Sequence, residues 1–101
     1  MSRQNQFTVD AESVQNSPGA EATFRCMKVR VFREWRDDPD SSNRSILEQQ
    51  LVSWRGFVDD AGAELPQPKD EPGVIDELYA HEQQSLVLLL LAGPKGESAK
   101  N

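Results

Sequence analysis

The chain has one cysteine and one histidine in 101 residues, and that scarcity removes much of the chemistry open to a small protein. The single thiol, Cys26, forms no intramolecular disulfide, which points to a reducing cytoplasm. With His81 as its only companion there is no CxxC, HExxH or clustered His/Cys set, which excludes structural zinc and the metalloprotease arrangement. Cys26 and His81 also fall in separate elements, so a thiol–imidazole nucleophile pair has no local support. Long apolar runs are equally absent. The longest, Leu86 to Ala92, covers seven residues, where a membrane span needs about twenty. No charged segment followed by an apolar one opens the sequence, so neither a secretory leader nor a membrane association is expected.

Positive charge is the next shortage. Eleven Lys and Arg face seventeen Asp and Glu, a net charge of −6. Affinity for phosphate backbones comes from releasing counterions to a basic surface, so no nucleic-acid partner is expected. The charges are unevenly placed. Arg25, Lys28, Arg30, Arg33 and Arg36 lie close together, whereas Asp59 to Glu82 holds eight acids against one base, Lys69. Such asymmetry suits head-to-tail self-association or docking on an oppositely charged protein; its plainer reading is a solvated strand face and a solvated loop.

The motifs that survive carry little chemistry. The acidic turn Asp59-Asp-Ala-Gly-Ala-Glu64 lacks the alternating oxygen ligands and the position-twelve glutamate of a calcium loop. Gly93-Pro-Lys-Gly96 has neither the spacing of a phosphate loop nor a helix after it. Trp35, between Arg33 and Arg36, could stack on a base, but in so acidic a chain it is read instead as a packing tryptophan at a strand end. Carboxylates are plentiful, yet a general acid/base pair needs environments that split two pKa values. The reading is therefore of a protein with no catalytic residue, no cofactor and no metal ligand.

What is present is the pattern of a small α+β domain: short N-terminal antiparallel strands packed against two or more helices, with flexible termini. A chain of this length buries roughly two-thirds of its unfolded surface, enough for one domain. Composition divides it into a flexible segment over residues 1–20, a domain over 21–93 and a flexible tail over 94–101. Phe7-Thr-Val9 is a short strand signal within the polar segment. From Thr23 to Phe32, Met27, Val29 and Val31 alternate with Lys28 and Arg30 as in a half-buried strand. Phe24 and Cys26 have the opposite parity, so either both faces are covered there or the register breaks near Met27. A helix is expected from Ser45 to Trp54, where Ile46, Leu47, Leu51, Trp54 and Val58 fall at helical spacings and Ser45 with Glu48 reads as a capping box. Gly56 stops it, and Asp60-Ala-Gly62 reverses the chain. After the extended Leu65-Pro-Gln-Pro68, a second helix is expected from about Asp70 to Gly93-Pro94, with Val74, Ile75, Leu78, Ser85, Leu86 and Leu89 on one side. The expected core is Val29, Val31, Leu47, Leu51, Trp54, Val58, Leu78, Leu86 and Leu89. Leu86–Leu91 is apolar all round, so that turn is either sandwiched between strand and helix or meets another protein.

The stretch Trp54-Arg-Gly-Phe-Val-Asp-Asp-Ala-Gly-Ala-Glu-Leu-Pro66 resembles the small tail assembly chaperones of long-tailed bacteriophages of the siphophage type. The resemblance is carried by Trp54, Gly56, Phe57, Asp60, Gly62, Leu65 and Pro66, by Val29 and Val31 before them, and by a closing Lys100-Asn101. It implies a non-catalytic protein of the host cytoplasm, absent from the mature virion, that binds the tape measure protein, with the tail tube protein as a further contact. A longer product made by ribosomal frameshifting near the C-terminus also belongs to what it implies. On this reading Leu86, Val87, Leu88, Leu90 and Leu91 form the client or self-contact surface, and Lys28, Arg30 and Arg33 a lateral contact to the acidic turn. The alternative is a small acidic phage or bacterial inhibitor or adaptor whose Asp59–Glu82 region occupies a basic groove of a host protein by mimicking nucleic acid.

Overall fold

Period-two apolar patterning near the N-terminus builds a three-stranded antiparallel sheet in the computed structural model, which describes residues 5–94. Strand β1 (Gln6–Asp10) pairs with β2 (Glu21–Arg25), and β2 pairs with β3 (Leu51–Arg55), in the order β1-β2-β3. Phe7 stands opposite Phe24 and Val9 opposite Ala22, so these alternate side chains face the core. Gln6, Thr8 and Asp10, opposite Arg25, Thr23 and Glu21, face the other way. On that polar face the Thr8 and Thr23 hydroxyls are 2.7 Å apart, and Arg55 pairs with Glu21 at 2.9 Å.

Among the described residues four helices complete the fold: α1 (Glu12–Gln15) in the β1–β2 connection, α2 (Val29–Asp37), α3 (Asn43–Gln50) and α4 (Ala80–Ala92). A 3-10 turn over Pro72–Glu77 precedes α4. One core cluster joins the inner sheet face to α1, α3, the 3-10 turn and α4, with Phe24, Ile46, Leu47, Phe57, Ile75 and Leu86 its largest fully buried side chains. Of the expected core, Leu47, Leu51, Trp54, Leu78 and Leu86 are buried, Leu89 is partly buried, Val31 and Val58 are half-buried, and Val29 is 64% exposed.

The α+β class holds, while several element assignments change. The Ser45–Trp54 helix is two elements. Helix α3 starts earlier, with Ser42 as cap: its hydroxyl accepts from the Ser45 amide at 3.1 Å, and the Ser45 hydroxyl accepts from the Ser42 amide at 2.9 Å. Glu48 bonds Arg44 instead. The helix stops at Gln50, and Leu51–Arg55 is β3. Thr23 pairs with Ser53 and Phe24 with Leu51, which leaves Val52 as the extra residue of a bulge. That bulge lets Leu51 and Trp54, three apart, both face the core. In sequence the same spacing reads as helical.

The Thr23–Phe32 strand also divides. Strand β2 ends at Arg25, with the earlier parity of Ala22 and Phe24 facing inward, and Lys28 begins α2. The strand thus ends before Met27, and the register shift against β3 falls between Thr23 and Phe24. Helix α2 is pinned at its far end, where the Trp35 indole N–H donates to the Ser42 carbonyl at 2.9 Å. The long second helix is likewise interrupted, because the Tyr79 backbone is extended and its amide donates to Glu82 Oε1 at 2.8 Å, starting α4 afresh. Residues 6–20, assigned on composition to a flexible segment, hold β1, α1 and the buried Phe7, Ala11, Val14 and Ala20. Sparse apolar residues suffice there because each meets the core. The 94–101 tail beyond Pro94, Lys100-Asn101 included, lies outside the described residues.

Candidate protein-binding groove

The Trp54–Pro66 stretch folds into a clasp around the end of β3. Trp54 and Phe57 stack with ring centroids 4.6 Å apart and 6° between planes, and both are buried. The Trp54 indole N–H donates to the Pro66 carbonyl at 3.0 Å. Gln67 binds the Trp54 backbone on both sides: its Oε1 accepts the Trp54 amide at 3.0 Å and its Nε2 donates to the Trp54 carbonyl at 2.8 Å. A side-chain amide thus stands where a fourth strand would pair. Gly56 is required twice, by its φ of +79° and because a Cβ there would lie 3.0 Å from the Ala20 Cα.

The acidic turn is held from within. Asp59 Oδ1 accepts from the amides of Ala61 and Ala63, each at 2.9 Å, and Gly62 takes φ +86°. Leu65 is buried and returns its amide to the Phe57 carbonyl at 2.8 Å. The Tyr79 hydroxyl donates to Asp60 at 2.6 Å, and this bond to a carboxylate raises the phenol pKa above its ordinary value. Gln15 ties α1 in by accepting the Val58 amide and donating to Glu82, both at 2.7 Å. All seven motif residues therefore sit in one structural element. Among the described residues no group of three or more His, Cys, Asp or Glu is arranged to hold a metal ion. His81 is exposed and stacks on Tyr79, far in sequence from the thiol of Cys26.

The leucine-rich run does not form one surface. Leu86, Val87 and Leu90 are buried in the core, and Leu86 and Val87 drop out of the expected interface. Leu88, at 61%, and Leu91, at 45%, are exposed. A helix wedged among α1, α3 and the sheet buries most of its circumference, which reconciles an all-round apolar turn with a small domain. Lys28, Arg30 and Arg33 are exposed on α2 and at its start, not on a strand. Arg30 pairs with Glu34 one turn on at 3.7 Å, with both side chains largely in solvent, a contact worth little to stability.

An apolar groove of about 420 Å³ lies between the start of α2 and the C-terminal end of α4. Phe7, Met27, Val29, Phe32, Leu90 and Leu91 supply its apolar lining, with Cys26, Gly93 and Pro94 completing it. No residue of α2 is fully buried. Phe32 and Trp35 are half-buried with ring centroids 6.2 Å apart, and the Arg36 guanidinium lies 5.6 Å over the Phe32 ring. Of the interface residues expected from sequence, the groove gathers Leu90 and Leu91, flanked by Lys28 and Arg30 on either side of Val29. Phe7, Met27 and Phe32 were not anticipated. The three-residue spacing of Val29 and Phe32 is the signal that would have found part of it. No family model, no curated protein and no solved structure matches the chain.

Proposed function

We propose that this chain is a non-catalytic binding protein that takes an apolar helical segment of a protein partner into the groove between α2 and the end of α4. The observation that carries the reading is a groove lined by six apolar side chains beside a helix that fully buries no residue of its own. Core packing leaves Val29 and Leu91 in solvent, and exposed apolar side chains grouped beside a cleft mark interaction sites. A groove of this kind suits an amphipathic helix presenting residues at i, i+3 and i+4. Lys28, Arg30 and Arg33 at its side favour acidic residues flanking that apolar stripe and speed the encounter.

The resemblance of Trp54–Pro66 to siphophage tail assembly chaperones supplies the client: the tape measure protein, held in the bacterial cytoplasm during tail assembly and released before the virion is complete, with the tail tube protein a second contact. Nucleic-acid mimicry draws less support, because four of the eight acids from Asp59 to Glu82 are engaged, Asp59 by Ala61, Asp60 by Tyr79, Asp76 by Arg44 and Glu82 by Tyr79, which leaves Glu64, Asp70, Glu71 and Glu77 as the open carboxylates. The test is binding of the purified chain to a siphophage tape measure protein. Val29→Asp and Leu91→Asp should each weaken binding more than about tenfold with the circular dichroism unchanged, since a charge buried against an apolar partner is costly. Unchanged affinity in both variants would refute the groove as the site, and binding to a nucleic-acid enzyme alone would favour mimicry.

A further inference from the structure

The three cations beside the groove are not equivalent. Successive residues on a helix turn by about 100°, so Arg33, one turn on from Val29, stays on the side of α2 that faces the groove, whereas Arg30 turns to the far side. Arg30 is also answered, by Glu34 at 3.7 Å. Among the described residues no carboxylate pairs with Arg33 or Lys28. Arg36 lies over the Phe32 ring and bonds Asp37 at 3.0 Å, which leaves Arg33 as the open charge of the helix on that side.

The α4 wall of the groove is bare of charge. Gln84, Leu88 and Leu91 stand at i, i+4 and i+7 on the solvent side of α4, which makes them one row, and Leu91 belongs to the groove as well. Leu88 and Leu91 are exposed, and the one Asp, Glu, Lys or Arg of this 13-residue helix is Glu82, which is buried. Surface helices ordinarily turn charged and polar residues outward. In a chain whose residues are 28% charged, a solvent side with no such residue sets α4 apart.

We infer that the groove continues as a track over the Gln84–Leu88–Leu91 row and takes an amphipathic helix with an apolar stripe of about three turns, carrying carboxylates on the flank that meets Arg33 and Lys28 and no charge on the flank above α4. The inference rests on the reading of the groove as the binding site and adds the length and charge of what binds. From Leu91 to Gln84 the row runs about 10 Å along α4, two turns beyond the groove. A second copy of this chain does not meet the description. Its α2 sets arginines beside its apolar residues, its α4 shows no acid to solvent, and Ile46 and Leu47 of α3 are buried. The occupant is a helix of another protein.

Two designed helical peptides test this, with the same row of leucines at i, i+3, i+4 and i+7 and either glutamates or lysines beside it, titrated into the full chain by fluorescence anisotropy. The glutamate peptide should bind about tenfold tighter or more at low salt, and the gap should narrow as salt screens the contact. Arg33→Gln should shrink the gap to about threefold, while Arg30→Gln should leave it within about twofold of the parent. Leu88→Asp should weaken both peptides about fivefold or more with circular dichroism unchanged, because Leu88 is exposed in the free chain. Equal affinity for the two peptides, a gap indifferent to Arg33→Gln, or no effect of Leu88→Asp overturns the inference. So does a dimer in sedimentation that Leu88→Asp dissolves, which would make a second copy the occupant. Val29→Asp separates the inference from the reading beneath it. If it weakens both peptides and the parent prefers neither, the groove stands and the charged flank is rejected; if binding ignores Val29→Asp, the groove itself is rejected.

Discussion

Helices α2 and α4 both carry apolar side chains that a strand-and-helix pattern would assign to a core, and they spend them differently. Helix α4 buries Leu86, Val87 and Leu90, whereas α2 buries nothing fully and holds Val29 in solvent. The difference lies in surroundings. α4 is packed on α1 and α3, while α2 follows β2 directly and lies at the margin of the core cluster. Apolar content alone therefore does not identify a partner surface in a domain this small. An apolar residue left over after the core has closed is the better sign.

Substitutions should separate the two roles by size of effect. The largest loss is expected at Trp54, which lies outside both helices and anchors the core that α4 completes. Trp54→Ala removes the stack on Phe57 and the indole bond to Pro66 and should cost about 3–5 kcal/mol in denaturant unfolding. Leu86→Ala, on the buried side of α4, should cost about 2–5 kcal/mol by the same measurement. Val29→Asp on α2 should change stability by about 0.5 kcal/mol or less, its effect appearing only in binding. If Leu86→Ala were as mild as Val29→Asp, the distinction between the helices would fail.

The smallest effect concerns Tyr79 at the start of α4, the single tyrosine of the chain. Its phenol pKa is raised by the hydrogen bond to Asp60, so the stabilisation is complete below the ordinary value near 10.0 and is lost as pH rises through the folded-state value. Absorbance titration should therefore show phenolate forming at higher pH in the native protein than after denaturation. Asp60→Asn should bring the native value down. An unshifted titration in the parent would remove that link between turn and helix.

Much of the fold was legible. The α+β class, the strand signal at Phe7–Val9, the reversal at Asp60–Gly62 and burial of Leu47, Leu51, Trp54, Leu78 and Leu86 all follow from pattern and turn chemistry. What misled has definite causes. The bulge at Val52 gave a strand the residue spacing of a helix. The alternation of Met27, Val29 and Val31 concealed a helix whose faces are read at three-residue steps. The all-round apolar Leu86–Leu91 turn was as consistent with a sandwiched helix as with an interface, and tertiary packing decided for the first at three of its residues. The groove was nearly invisible because its lining comes from β1, α2 and α4, a juxtaposition that no local window contains.

Titration calorimetry of the full chain against a siphophage tape measure protein, the client proposed for it, bears most directly on the central claim, that the leftover apolar surface beside α2 is a binding site. Saturable binding by the parent chain is expected, weakened more than about tenfold by Val29→Asp and by Leu91→Asp, with native circular dichroism in both. Absence of binding by the parent, or equal affinity in both variants, would contradict it.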